Sequence, residues 1–277
     1  MSRLDDSQIN RAAPPGSMRY FSLLYAPDDK RDRLCALYVI DAEIRESAQS
    51  PNHDVAHTRL QWWRAEIDRL VNGNPQHPAT RLLNDAQPGD RMIFSKLHET
   101  AVAADMDLAR MTYSNLRELR AYCSRSGGAI QELMAAQLVA PAPLDDANRA
   151  IANRLGSGVR QSEILRDLRQ DAVAGRVYLP QDRLAEHKVT LEDLRSREIA
   201  PRLKTALREY RDAVQDELQS ALASTSRQLR PLGVLAALHR RLLDRIASNN
   251  FDVATARIDL GPIEKPWVAW RTARNLS

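Results

Sequence analysis

The stretch Gln161–Pro180, QSEILRDLRQDAVAGRVYLP, decides the fold. Asp167 and Asp171 are four residues apart, and Glu163 lies four before Asp167. On a helix that spacing stacks the three carboxylates on one face. Like charges so placed repel, and a plain surface helix gains nothing from them. The ladder becomes favourable when a cation, or a cluster of arginines, stands against it. A small-residue break, Ala172 to Gly175, follows, and then Arg176, Tyr178 and Pro180.

The segment closely resembles the second aspartate-rich motif of the squalene/phytoene synthase family, the head-to-head isoprenyl diphosphate synthases. That motif reads approximately Q-x-x-N-I-L-R-D-x-x-x-D and then G-R-x-Y-L-P. Gln161, Ile164, Leu165, Arg166, Asp167, Asp171, Gly175, Arg176, Tyr178, Leu179 and Pro180 are taken as matches, and Glu163 stands where the family has Asn. Other segments resemble the family in the same order: Arg19-Tyr20-Phe21-Ser22, Leu34-Cys35-Ala36-Leu37-Tyr38, and Tyr122-Cys123 with Gly127-Gly128 after it. The resemblance runs from about Met18 to Arg271. It implies an all-α isoprenoid (terpenoid) synthase fold, a single helical bundle around a central cavity with the ladder on its wall. It also implies substrate contacts for Gln161, Arg166, Arg176 and Tyr178, and metal ligation by Glu163, Asp167 and Asp171.

The first motif departs from the family. Active members read approximately Y-A-F-C-R-x-x-D-D-x-x-D. Laid on Tyr38, the three acidic positions become Arg45, Glu46 and Gln49. Mg²⁺ takes hard oxygen ligands and bridges carboxylates to substrate phosphates, which a guanidinium cannot do. Arg45 is suited instead to phosphate, or to a carboxylate of the facing ladder through two parallel hydrogen bonds. The competing placement turns Arg45 to solvent, paired within its own helix to Asp41. The stretch ALYVIDAEIRE with RLQWWRAEI after it is similar to the divergent branch that holds a mitochondrial complex I assembly factor. The resemblance thus implies a protein that binds an isoprenyl diphosphate, or acts as an assembly or scaffold factor for a respiratory complex, without the standard condensation. The alternative is an active Mg²⁺-dependent prenyltransferase condensing farnesyl or geranylgeranyl diphosphate, with Glu43 or Glu46 standing in for the lost aspartates. No residue is assigned as catalytic.

Composition sets wider bounds. The chain has 277 residues, 10 glycines and 27% charged residues, with Ala, Leu, Arg and Glu frequent, which favours helix. Cys35 and Cys123 form no CxxC pair and read as buried thiols in a reducing compartment. Net charge is +4, nearly all of the positive charge being arginine. No basic run with interleaved aromatics occurs, which excludes the usual nucleic-acid motifs. No secretory signal pattern and no membrane-spanning stretch is present, so a cytoplasmic protein is expected, with peripheral contact at the inner membrane. Trp267 and Trp270, with Arg271 and Arg274, are the residues suited to that contact.

The apolar period predicts helices throughout, including Asp28–Ala48, Asp54–Val71, Gly89–Ala104, Gly128–Leu138 and one long helix Asp145–Asp171. Residues 1–16 read as a flexible N-terminal segment before one helical domain over 17–277, with no linker dividing it. His53 and His57 lie four apart, yet no third ligand is near, and surface placement is the simpler reading. Trp63 reads as core and Trp62 as a helix seam. Asp105 and Asp107 resemble a cavity-lining segment of the family.

Overall fold

The computed structural model describes residues 4–86 and 90–276. Helix takes 73% of the described residues, and no strand occurs among them. The order is α1 (Asp6–Ala12), α2 (Met18–Leu23), α3 (Asp28–Ser47), α4 (His53–Val71), α5 (Pro78–Ala86), α6 (Leu97–Leu108), α7 (Leu116–Cys123) and α8 (Ala129–Val139). Then follow α9 (Asp146–Arg166), α10 (Leu168–Val173), α11 (Gln181–Glu186), α12 (Leu191–Arg195), α13 (Pro201–Ala223), α14 (Arg230–Ser248) and α15 (Glu264–Asn275).

Three of these helices are buried on nearly every side. Residues Leu34–Asp41 of α3, Ala129–Leu138 of α8 and Leu155–Ser162 of α9 are inaccessible without a break. A helix with no solvent face belongs at the centre of a bundle. The others show one apolar stripe and wrap this centre: α9 packs on α8, α13 and α14, while α3 packs on α1, α4, α5, α6 and α8. One continuous apolar core runs from α1 to α15. Cys35 and Cys123 are free and buried in it. Among the described residues, no helix is long and apolar enough to cross a membrane.

Local sequence explains the helix starts. Asp145, Asn115, Asn52 and Ser17 each accept a backbone N–H in the first turn of α9, α7, α4 and α2. Two glycines fix the closest helix approach. A π-helical turn, Ser124–Gly128, joins α7 to α8 and presses Gly127 on Gly156 of α9. A Cβ on Gly127 would stand 2.3 Å from the carbonyl oxygen of Gly156.

Some expectations differ from the structure. The segment 1–16 is not loose over its described part: α1 is closed by a capping box between Asp5 and Gln8, and Ala12 and Ala13 are buried against the core. The expected helix Asp145–Asp171 ends at Arg166, turns at Asp167 (φ −97°, ψ 13°) and restarts at Leu168. The start of the expected helix Gly89–Ala104 lies outside the described residues; Arg91–Lys96 is a 3-10 turn that leads into α6. Pro27 rather than Asp28 or Asp29 caps α3; the two aspartates sit in its first turn, where they complement the helix dipole. Trp63 is 3% exposed and Trp62 is 41% exposed. His53 and His57 lie on the surface with their rings 4.6 Å apart.

Candidate diphosphate-facing site

The two motif helices meet through Arg45. Its Nη2 donates to Glu163 Oε2 at 3.1 Å, joining α3 to α9. The Arg45 side chain keeps 26% of its surface accessible and Glu163 keeps 12%. The second arm of the guanidinium lies 3.9 Å from Asp41, one turn back on α3. Arg45 therefore bridges two acids, where the sequence suggested a bidentate pair with one. Asp41 is itself 2.6 Å from Arg19 of α2. Arg160, one turn before Glu163, brings a second guanidinium to the same carboxylate at 3.5 Å. Burial alone would raise the Glu163 pKa; Arg45 and Arg160 override it and hold the carboxyl well below its usual range.

Arg160 is the residue that sequence reasoning missed. It is 6% exposed. It donates to Tyr122 Oη at 2.8 Å and lies over the rings of Tyr122 and Tyr178, 5.5 Å and 5.1 Å from their centroids. Tyr122 and Tyr178 both donate to Asp107, at 3.0 Å and 2.7 Å. Tyr113 completes the aromatic wall beside both rings. Burial pushes the Tyr122 and Tyr178 hydroxyls far above the ordinary tyrosine range, so both remain protonated donors. The signal for Arg160 lay in the motif spacing. In Q-x-x-N the Gln stands three before the Asn, and three before Glu163 is Arg160, not Gln161. Gln161 faces away from the ladder: its amide donates to Ser157 Oγ on its own helix and to Glu217 of α13, both at 3.3 Å.

The remaining ladder acids also carry arginine. Asp167 accepts from Arg166 at 2.5 Å and 2.9 Å and from Arg257 at 3.1 Å. Burial pushes its pKa up, but the hydrogen bonds and charge of Arg166, with Arg257 beyond, bring it below the ordinary value. Asp171 accepts from Arg176 at 3.0 Å, yet burial outweighs Arg160 and Arg176 and leaves its pKa raised. Gly175, at φ +82°, makes the turn that returns Arg176 toward Asp171. Asp105 pairs with Arg64 of α4 and takes no part in this cluster.

These residues do not fit the paired Mg²⁺ site of the motif. Every ladder carboxylate is engaged by a guanidinium, and α3 presents a cation where a ligand is required. Glu43 reaches His77 at 3.3 Å and Glu46 reaches Arg11 at 3.6 Å, so each is turned to a partner outside the ladder. The donor atoms of Glu163, Asp167 and Asp171 do not converge. Among the described residues, the grouping that does is Glu186, His187 and Glu209, between α11 and α13. The balance of charge is positive: Arg19, Arg45, Arg160, Arg166, Arg176 and Arg257 stand against Asp41, Asp107, Glu163, Asp167 and Asp171. Such a cluster suits a phosphate better than a divalent cation.

The model of the squalene/phytoene synthase family matches residues 13–264. The chain belongs to the squalene/phytoene synthase family. Among its curated relatives, the 15-cis-phytoene synthase of Synechococcus elongatus is 29% identical over 256 residues, 86% of this chain and 82% of the relative. Phytoene synthase 2 of Solanum lycopersicum is 27% identical over 249 residues, 86% of this chain and 79% of the relative. The fold is that of a dehydrosqualene synthase solved with a ligand, with a TM-score of 0.83 at 16% identity over 97% of this chain and 94% of that one. A squalene synthase from Alicyclobacillus acidocaldarius has a TM-score of 0.72 at 19% identity, covering 88% of this chain and 92% of its own. Within the squalene/phytoene synthase family the second motif of this chain keeps Asp167 and Asp171, while Arg45, Arg160 and Glu163 replace the residues of the quoted motifs.

Proposed function

We propose that this squalene/phytoene synthase family member does not carry out the head-to-head condensation, and that it binds an isoprenyl diphosphate through arginine rather than through Mg²⁺. The observation that carries the reading is the Arg45–Glu163 contact at 3.1 Å. It places a cation on the acid ladder from the position where the family motif has a metal-binding aspartate. A Mg²⁺ beside Arg45 would be repelled, and its carboxylate ligands would first have to be released from their arginines. Diphosphate departure in this chemistry needs the metal to take up the leaving charge. A fixed guanidinium can bind a phosphate but brings no bridging ligand. Such a protein serves as a carrier or scaffold, the role implied by the sequence resemblance of ALYVIDAEIRE and RLQWWRAEI alone.

A second reading, an active Mg²⁺-dependent prenyltransferase, is favoured by the phytoene synthases aligned over most of the chain. One experiment separates the two. Purified protein is incubated with farnesyl or geranylgeranyl diphosphate, Mg²⁺ and NADPH, and products and diphosphate are measured. Binding is measured by calorimetry with and without EDTA. The expected result is binding that survives EDTA and no squalene or phytoene above the protein-free control. Mg²⁺-dependent diphosphate release abolished by Asp167→Ala would move the protein to the enzyme class.

A further inference from the structure

The outer face of α15 is built unlike the other surface helices. Its inner side is fixed: Ala269 and Ala273 are buried, Lys265 holds Asp259 at 2.6 Å, and Glu264 holds Arg241 and Arg245, each at 2.6 Å. The helix therefore lies flat and rigid along the bundle. Yet Trp267 is 56% exposed and Trp270 42%, and Ile263, just before the helix, is 82% exposed. Successive helical residues turn by about 100°, which puts these three on one outward side together with Arg271 and Arg274. The two indoles contact each other with centroids 5.1 Å apart, and Arg274 lies 4.9 Å from the centroid of Trp270. Beside them a recess of about 340 Å³ is lined by Tyr25, Arg227, Arg230, Trp270 and Arg274. No acid lines it. Among the described residues, Arg227, Arg230, Arg271 and Arg274 take part in no ion pair.

We infer that this face is a docking surface for an anionic lipid bilayer, with Ile263, Trp267 and Trp270 entering the headgroup boundary and the arginines meeting lipid phosphates. Charge complementarity fixes the occupant. The recess beside Trp270 has no acid, and the acids that line the neighbouring recess with Trp267 and Arg271, Asp244 and Glu264, are already held by Arg211, Arg241 and Arg245. The four unpaired guanidiniums call for a partner dense in negative charge. The indoles suit a surface apolar at depth and wet above, where a ring can bury its body and keep its N–H hydrated. A helix lying in the interface needs such an apolar ridge flanked by basic residues. This site is separate from the Arg45–Glu163 cluster and does not depend on the function proposed for it.

The test is sedimentation of the full chain with phosphatidylcholine vesicles, with and without phosphatidylglycerol. Binding is expected only to the anionic vesicles and to fall with salt. Trp267→Ala/Trp270→Ala and, separately, Arg271→Glu/Arg274→Glu should each weaken it about tenfold or more, while the thermal unfolding midpoint is unchanged. Equal binding by wild type and both variants would overturn the proposal. Complete release by millimolar inorganic phosphate would overturn it in favour of a soluble-anion site. Loss of vesicle binding upon self-association through the same tryptophans would do so in favour of a protein interface.

Discussion

At the scale of single residues, the motif frame located the pair Arg45 and Glu163 because Tyr38 and the run Ile164–Asp167 set the phase of both helices. It did not locate Arg160, because a buried arginine has no signature in hydrophobic period; only counting the motif spacing exposes it. Glu163 is the hub, facing two guanidiniums at 3.1 Å and 3.5 Å. Removing one partner of a fully buried pair costs about 3–5 kcal/mol, and water at Arg45 lowers that figure. Glu163→Gln is therefore expected to destabilise the fold by about 2–4 kcal/mol. Arg45→Met should cost less, since Arg45 is the more accessible partner and Asp41 retains Arg19. Combining the two should recover part of the loss, with a coupling of about 1–3 kcal/mol in chemical denaturation. Additivity to within about 0.5 kcal/mol would mean that the contact contributes nothing as a pair.

At the scale of elements, long periodic stretches such as α4, α13 and α14 were legible, while the break at Asp167 was not. No glycine or proline marks it, and the Asp167 N–H still bonds to the Glu163 carbonyl across the turn at 2.9 Å. The order in α1 was present as the Asp5–Gln8 capping box, but the polar composition and Pro14-Pro15-Gly16 outweighed it. The crossing of the π-helical turn on α9 depends on glycine more directly than on any apolar residue. In Gly127→Ala the new methyl would meet backbone at 2.3 Å and the Cβ of Arg160 at 3.1 Å. Neither neighbour is a flexible side-chain end that can swing away. Overpacking costs about 1–3 kcal/mol, against a helix-propensity gain of about 1 kcal/mol for Ala over Gly. A lowered thermal midpoint is expected, whereas Gly261→Ala, whose nearest neighbour is 4.0 Å away, should leave it unchanged. An unaltered midpoint for Gly127→Ala would mean that α8 and α9 can slide apart at no cost.

At the scale of the whole molecule, one core binds helices far apart in sequence, and its buried ionisable groups make stability depend on pH. His239 of α14 is 3% exposed, and its Nδ1 lies 2.6 Å from Ser162 Oγ on α9. Burial lowers its pKa from 6.5 to about 4. The neutral ring is thus the folded form, and the unfolded chain takes up the proton first as pH falls. The stability that this preference confers is complete above pH 6.5 and is lost progressively between 6.5 and about 4. At 1.36 kcal/mol per unit, the loss amounts to about 2–3 kcal/mol by the lower end of that window. Glu163 acts lower. Its folded pKa is depressed, so its contribution is present above the unfolded value of 4.5 and is lost as pH falls through the folded pKa. Asp171 has the opposite sign, because its raised pKa favours the folded state once the carboxyl is protonated. Urea midpoints taken from pH 7.5 down to about 4.5 therefore isolate His239 as the main slope. His239→Gln, which keeps a group able to bond Ser162 but does not titrate, should flatten the profile above pH 4.5 and leave the steeper acid limb in place. A wild-type midpoint that stays level across that window would show that water reaches His239 in the folded protein and that α9 and α14 are less tightly closed than their packing implies.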